Sequence, residues 1–199
     1  MAPTPDGNGG VTPISALTIA LDERDTATRD HCDRVSGLAL ELGRSVGLTT
    51  DELRCLRLAA RLHDIGKIGI PDDVLKKQGR LTDAEWVVMK SHSARSARIV
   101  LASDLDEAEL IAQVVRHHHE RYDGQGYPDG LSGESIPVLS RIVAIVDTYD
   151  AMARLRHYGA PATHREIMEE LERVSGTQHD PRLREKFAQL IDASPFRAA

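Results

Sequence analysis

Residues 117–128 read HHHERYDGQGYP, three successive histidines followed by a loop that contains two glycines. A neutral histidine offers one ring nitrogen as a metal ligand, and adjacent residues on a helix point about 100° apart. At the end of a helix, two of these rings could therefore face one cleft that holds a metal ion. The alternative is a solvent-exposed histidine run without a function, and the rest of the chain decides between the two.

Apolar residues recur at helical spacing through most of the chain, whereas the alternation typical of strands is scarce. Thr82–Glu85 has the pattern of a capping box, which starts a helix. Residues 138–153 are apolar nearly all round, which predicts a helix at the centre of the fold. The sequence therefore predicts one all-α domain over residues 14–199, preceded by a disordered N-terminal tail over residues 1–13.

Composition and charge narrow the possible partners of the 199-residue chain. The net charge of −6 argues against a nucleic-acid duplex as ligand, because that binding requires clustered Lys and Arg. The sequence contains neither an apolar run of membrane-spanning length nor a signal peptide. Cys32 and Cys55 fit neither a disulfide framework nor a zinc spacing. We expect a cytoplasmic protein without a membrane partner, able to take a small phosphorylated ligand if metal ions supply local positive charge.

Histidines and carboxylates recur on different predicted helices. The candidates are His31, His63, Asp64, His92, His118, His119 and Asp147. Imidazole and carboxylate without thiolate suit iron, manganese, zinc or similar divalent ions. Seven donors are too many for one tetrahedral site and about right for two octahedral ions that share a carboxylate. Each histidine alone is more often an ordinary core or surface residue, but the set taken together favours a metal centre.

Two motifs carry a resemblance to a known family. Residues 63–71 read HDIGKIGIP, and residues 118–128 read HHERYDGQGYP, followed by Ile136 and Pro137. Over about residues 25–187 the chain resembles the HD-GYP subgroup of the HD-domain phosphohydrolases. The resemblance implies an HD-domain helical bundle with a two- or three-metal centre, often iron. It also implies hydrolysis of cyclic di-GMP to the linear dinucleotide pGpG or to GMP.

The resemblance assigns metal ligation to all seven candidates and makes Asp64 the bridging carboxylate. Trinuclear members of the family have a glutamate four residues before the first histidine ligand, where this chain has Ala27. We therefore expect two divalent ions, with iron or manganese favoured. His117 precedes the matching pair and is expected to lie on the surface or behind the ligands.

Lys67 follows the His-Asp pair by one turn and is expected to hold a phosphate oxygen as a point charge. Together with Asp64, which would help two metal ions to activate a hydroxide, it is the catalytic candidate. Asp25 and Arg156 match family positions near the bound nucleotide, although both could be ordinary surface charges. Tyr127 could stack on a base or fill the core. The resemblance further implicates the loop over residues 123–133, which contains the sequence Gly-Tyr-Pro and is called the GYP loop, in contacts with diguanylate cyclase domains.

The chain departs from the family pattern beyond Asp150. The family usually reads TSDRPYR or TSDRPYK, and residues 153–159 here read ARLRHYG, so Leu155 replaces an acid and Gly159 a basic residue. The sequence is therefore compatible with three functions. The first is a cyclic di-GMP phosphodiesterase with a binuclear metal centre. The second is a weak or inactive HD-GYP scaffold that binds nucleotide or a cyclase, and the third is a phosphohydrolase of another small nucleotide.

Overall fold

The computed structural model describes residues 28–154 and 161–199, together with residue 19. The expected tail, residues 1–13, lies outside these ranges. The described chain forms eight α-helices, which are α1 Thr28–Ser45, α2 Thr50–Leu62, α3 Asp72–Leu75, α4 Asp83–Leu101, α5 Ala108–His117, α6 Val138–Arg154, α7 His164–Arg173 and α8 Pro181–Ile191.

Two short 3-10 helices, Ile65–Gly69 and Gly133–Ser135, complete the regular structure of the described residues. The only β-type pairing within the same ranges is a single bridge between Ser175 and His179. The predicted all-α fold is confirmed. None of the described helices is both long enough and apolar enough to cross a bilayer.

Side-chain caps explain where several helices begin. The predicted capping box at the start of α4 is confirmed, since the Thr82 hydroxyl accepts from the Glu85 amide and the Glu85 carboxylate accepts from the Thr82 amide. Asp180 caps α8 by accepting from the amides of Arg182 and Leu183. These bonds satisfy amides that a helix start otherwise leaves without partners.

Helix α6 lies at the centre of the bundle, as its apolar sequence predicts. It packs against α1, α2, α5, α7 and α8. Its core side chains are fully or almost fully buried, and they include Leu139, Ile142, Val143, Ile145 and Val146. Burial of one such side chain stabilises the fold by about 1.5–3 kcal/mol. The apolar part of α6 therefore anchors the fold and fixes the position of Asp147 and Asp150 near its C-terminal end.

The 3-10 helix after Asp64 approaches α4 closely at Gly66. A Cβ atom on Gly66 would lie 2.0 Å from the carbonyl oxygen of His92 and 2.6 Å from the amide nitrogen of Ser96. The Ser96 hydroxyl accepts from the Gly66 amide at 2.9 Å and donates to the His63 carbonyl at 2.7 Å. The missing side chain thus lets the segment after α2 lie directly against α4.

We expect Gly66→Ala to lower the free energy of unfolding by about 3 kcal/mol, because the new methyl group meets backbone that cannot move aside. Urea denaturation of the purified variant measures the loss. Gly69→Ala is the matched control in the same 3-10 helix, where the nearest atom is the mobile tip of Arg95 at 2.7 Å. It should cost less than about 1 kcal/mol, and equal losses in the two variants would contradict the packing argument.

Candidate metal centre

The seven predicted donors converge on one place in the bundle. They come from α1, from the C-terminal end of α2, from the middle of α4, from the two residues after α5 and from α6. In chain order they are His31, His63, Asp64, His92, His118, His119 and Asp147. Neighbouring imidazole rings lie between 4.0 and 5.5 Å apart, measured between centroids. Sequence-distant helices therefore bring one donor set together.

One group of donors consists of Asp64, His92, His118 and His119. One ligand atom from each lies within 4.8 Å of the others. The Nε2 atoms of His92 and His119 are 3.1 Å apart, and Asp64 Oδ1 is 3.4 Å from His92 Nε2. Three ring nitrogens and a carboxylate oxygen thus face a common point, which is a geometry that could hold a divalent cation.

A second group shares Asp64 with the first and adds His31 and His63. Asp147 joins it, since its Oδ1 lies 3.2 Å from His31 Nε2 and 3.8 Å from His63 Nε2. Burial alone would lower the pKa of His31, but hydrogen bonds to Asp147 and Asp150 outweigh it and raise this pKa to about 10. The high affinity for a proton marks a position that favours positive charge, and a divalent cation could take the place of that proton.

Backbone hydrogen bonds orient three of the rings in the same way. The Nδ1 atoms of His63, His92 and His118 each lie 2.7–2.8 Å from the carbonyl oxygen three residues earlier in the chain. Those carbonyls belong to Ala60, Met89 and Val115. A carbonyl only accepts, so Nδ1 carries a proton in each of the three rings and Nε2 is the nitrogen left for a ligand at the centre.

The protonation states suit a cation site. Burial, together with the neighbouring histidines, holds the pKa of His118 and of His119 well below the usual range, so both rings are neutral at pH 7. Burial would raise the pKa of Asp64, but Lys67 and the surrounding histidines outweigh it, so Asp64 is ionised. The Nε2 atoms of His63 and His118 are buried without a hydrogen-bond partner among the described residues. These unpartnered nitrogens beside an anion fit a divalent metal ion.

Asp150 contacts the ring nitrogen of His31 that faces away from the centre, a role that could not be inferred from the sequence motifs. Its Oδ2 lies 2.8 Å from His31 Nδ1, and Arg34 donates to both of its oxygens at 2.6 and 3.0 Å. The carboxylate is only 3% exposed. A hydrogen bond at Nδ1 directs the opposite ring nitrogen of His31 toward Asp147. The available signal was its position one helical turn beyond Asp147 in an apolar helix.

The GYP loop folds back against the centre. A Cβ atom on Gly126 would lie 2.3 Å from the amide nitrogen of Arg121, so only glycine permits this approach. The ring of Tyr127 stacks on His119 at 4.8 Å between centroids, and its amide donates to the His119 carbonyl at 3.2 Å. Of the two predicted roles for Tyr127, the structure provides packing against a candidate ligand, and base stacking stays a prediction.

A brace of charged residues attaches the loop to the end of α5. Asp129 accepts two hydrogen bonds from Arg116, each 2.7 Å long, and its Oδ2 lies 2.8 Å from His117 Nε2. Glu120 accepts from the amides of Asp129 and Gly130 at 2.7 and 3.1 Å. His117 thus lies outside the two donor groups, as expected, and it joins α5 to the loop.

The other predicted substrate contacts are placed only in part. Lys67 lies at the centre, where its Nζ is 2.6 Å from Asp64 Oδ2 and its side chain is 26% exposed. Asp25 and Arg156 lie outside the described residues, as do Ala27, Leu155 and Gly159. Their roles therefore stay predictions.

Comparison with known proteins identifies the family. The model of the HD domain matches residues 16–183. The chain belongs to the HD-domain family. Its relatives include the cyclic di-GMP phosphodiesterase response regulator RpfG of Xanthomonas campestris, 41% identical over 169 residues that cover 85% of this chain and 45% of that protein. The resemblance to the HD-GYP subgroup is confirmed.

A second relative is the 3'3'-cGAMP-specific phosphodiesterase 2 of Vibrio cholerae, 36% identical over 167 residues that cover 84% of this chain and 32% of that protein. The chain thus spans less than half the length of either curated relative. Among solved structures, the cyclic GMP-AMP specific phosphodiesterase V-cGAP3 of V. cholerae superimposes with a TM-score of 0.68. That likeness covers 91% of this chain and 48% of the other at 23% identity, and it supports the fold assignment.

We expect Asp129→Ala to accelerate amide hydrogen exchange over residues 123–133 roughly fivefold, equivalent to about 1 kcal/mol for a partly exposed ion pair. The hydrogen bonds from Arg116 lower the pKa of Asp129 to about 2. The brace is therefore complete above the ordinary pKa of an aspartate and is lost as the pH falls towards 2. Exchange measured by mass spectrometry at pH 7 tests the effect.

The control for this experiment is Asp51→Ala, which removes an exposed carboxylate near Arg54 at the start of α2. It should leave exchange in the GYP loop unchanged. If Asp129→Ala also leaves that exchange unchanged, the ion pair does not restrain the loop.

Proposed function

We propose that this chain is a metal-dependent phosphodiesterase that hydrolyses cyclic di-GMP to linear pGpG, to GMP or to both. The observation that supports this most directly is the pair of nitrogen and oxygen donor groups that share the buried carboxylate of Asp64. A relative 41% identical to this chain is named a cyclic di-GMP phosphodiesterase. Because the chain spans under half of that relative, the activity is proposed for this domain on its own.

Two divalent ions, iron or manganese, would occupy the two groups. His92, His118 and His119 with Asp64 would hold one ion, and the other would be held by His31, His63 and Asp147 with the same Asp64. When bound, such ions lower the pKa of a water and neutralise negative charge on a phosphodiester. The chain contributes imidazoles held in fixed orientations, an ionised carboxylate common to both groups and a position closed off from most of the solvent.

Lys67 is the candidate for direct contact with the phosphate. Its ammonium pairs with Asp64 at 2.6 Å, so it already lies at the edge of the centre. Its four-carbon stem is flexible, and the ammonium can turn from the carboxylate to a non-bridging phosphate oxygen. The ammonium would then lie where negative charge develops during attack, and a positive charge at that position stabilises the transition state.

Three further residues are proposed to bind substrate. Tyr127 is half-buried beside His119, and burial raises the pKa of its phenol, so the hydroxyl stays protonated and can donate. The proposals for Asp25 and Arg156 rest on the motif match. Arg156 would clamp the second phosphate through its planar guanidinium.

A second candidate substrate is cyclic GMP-AMP, because a relative 36% identical to this chain is specific for it. The two substrates differ in one base only, so the same metal centre would serve both. A weak or inactive form that binds a diguanylate cyclase through the GYP loop is the remaining alternative, favoured by Leu155 and Gly159.

The direct test incubates anaerobically prepared protein, loaded with manganese or ferrous iron, with each cyclic dinucleotide and separates the products by chromatography. We expect cleavage of cyclic di-GMP. Protein that contains two ions per chain and yields neither linear dinucleotide nor mononucleotide from either substrate would contradict the proposed activity. Binding of nucleotide or a cyclase without turnover would then support the scaffold function.

Asp64→Ala should lose both ions and all hydrolysis, because it removes the carboxylate shared by the two groups. Elemental analysis after gel filtration measures the ions, and circular dichroism confirms that the variant is folded. Asp72→Ala is the control, since it removes an exposed carboxylate paired with Lys76 at 3.0 Å. Two retained ions in the Asp64 variant would show that the centre does not depend on this carboxylate.

Lys67→Met should keep both ions and lower kcat/KM for cyclic di-GMP about a hundredfold, the usual effect of removing one donor to developing negative charge. The control Lys76→Met removes an exposed lysine from the pair with Asp72 and should leave kcat/KM unchanged. An unchanged rate in the Lys67 variant would exclude its proposed contact with phosphate.

A further inference from the structure

His179 is a buried histidine that the proposed chemistry does not use. It lies between α7 and α8 and is 3% exposed. Both of its ring nitrogens are buried, and neither has a hydrogen-bond partner among the described residues. A neutral imidazole always has one N–H to donate, and leaving it unpaired costs about 1–3 kcal/mol. A buried polar group of this kind calls for a partner that the described chain does not supply.

Backbone hydrogen bonds hold the segment around His179 in place. The His179 carbonyl accepts from the Gly176 amide at 2.8 Å. The amides of Tyr122 and Asp123 donate to the carbonyls of Gln178 and Thr177 at 3.2 and 2.8 Å. The segment is therefore tied to the loop that follows the histidine pair, and the ring is positioned without hydrogen bonds of its own.

His179 lines a cavity of about 290 Å³ that adjoins the candidate metal centre. The lining also includes three of the proposed ligands, His118, His119 and Asp147. The rest of the lining is mixed. Its apolar side chains are Ala144, Ala151 and Met152, and its polar ones are Glu120, Arg121, Thr148 and Gln178. Sites that bind nucleobases offer apolar side chains to the face of the ring and polar groups to its edge, and this lining contains both kinds of side chain.

The charges in the lining argue for a base and against a second phosphate. Burial lowers the pKa of His179 to about 4, so the ring is neutral at pH 7 and offers one donor and one acceptor nitrogen. Arg121 is the cation in the lining, and its guanidinium makes two hydrogen bonds to Asp123. The lining also contains two carboxylates, those of Asp147 and Glu120. An uncharged ligand edge with donors and acceptors fits this environment better than an anion.

We propose that this cavity receives the nucleobase next to the scissile phosphate and that the His179 ring hydrogen-bonds to the edge of that base. The proposal rests on the proposed function, because it assigns a substrate contact within the same site. With the phosphate at the metal centre, a base attached through its ribose would reach the adjoining cavity. The apolar side chains would contact the face of the base, and His179 would read its edge.

The first test is His179→Phe, which keeps a buried ring and removes both nitrogens. We expect the KM for cyclic di-GMP to rise five- to tenfold, about the worth of one neutral hydrogen bond, with kcat changed less than about twofold. Hydrolysis of bis(p-nitrophenyl) phosphate, which has no base, should be unchanged, and so should the metal content. His179→Gln, which can still donate and accept, should recover part of the affinity.

A direct binding measurement with GMP separates this proposal from the proposed activity. Calorimetry should show GMP binding to the metal-loaded wild type and five- to tenfold weaker binding to His179→Phe. His164→Phe is the matched control, since that histidine lies in α7 and contacts Tyr149 on another side of the bundle. It should bind GMP as the wild type does.

The outcomes are distinguishable. If the wild type cleaves no phosphodiester, and His179→Phe binds GMP more weakly than the wild type, the proposed activity is wrong and the base site is supported. Equal KM and equal GMP affinity in the wild type and His179→Phe would overturn the base site and leave the activity intact. Absence of any GMP binding by the metal-loaded wild type would also overturn it.

Discussion

The buried negative charge of Asp64 is the constraint on which the rest of the structure depends. The residue is 5% exposed, and its carboxylate is ionised. A carboxylate in such a place costs several kcal/mol unless cations or strong donors surround it. The surrounding helices supply histidine nitrogens and one lysine. Backbone carbonyls orient three of the rings, and the ammonium of Lys67 pairs directly with Asp64. The arrangement stabilises positive charge beside the buried carboxylate, which explains why polar side chains gather inside an otherwise apolar bundle.

The helical framework could be predicted from local patterns. The capping box at Thr82 and the apolar sequence of residues 138–153 correspond to a helix start and to a central helix in the structure. The two motifs also identified the donors that meet at the centre. These features are readable because helical periodicity and motif spacing are local properties of a chain, in which the relevant residues lie within a few turns of one another.

Long-range partners could not be predicted in the same way. The contact between His31 and Asp150 joins residues 119 positions apart, and the sequence around either residue does not indicate its partner. The burial of His179 could not be predicted either, because the sequence around it is that of an ordinary helix start. Its burial beside the cavity depends on how two loops meet. Supporting and specificity-determining residues are therefore harder to find than ligands, since they depend on packing between distant segments.

The contact at Gly66 has a consequence for the dimensions of the centre. Since the main chain after Asp64 rests on the main chain of α4 with no side chain between them, the separation of these two segments is governed by peptide groups. Peptide groups compress and stretch far less readily than side chains rotate. The backbone positions of Asp64 and His92, which lie on these two segments, are therefore fixed relative to each other, and most exchanges of side chains in the outer parts of the bundle would leave them in place.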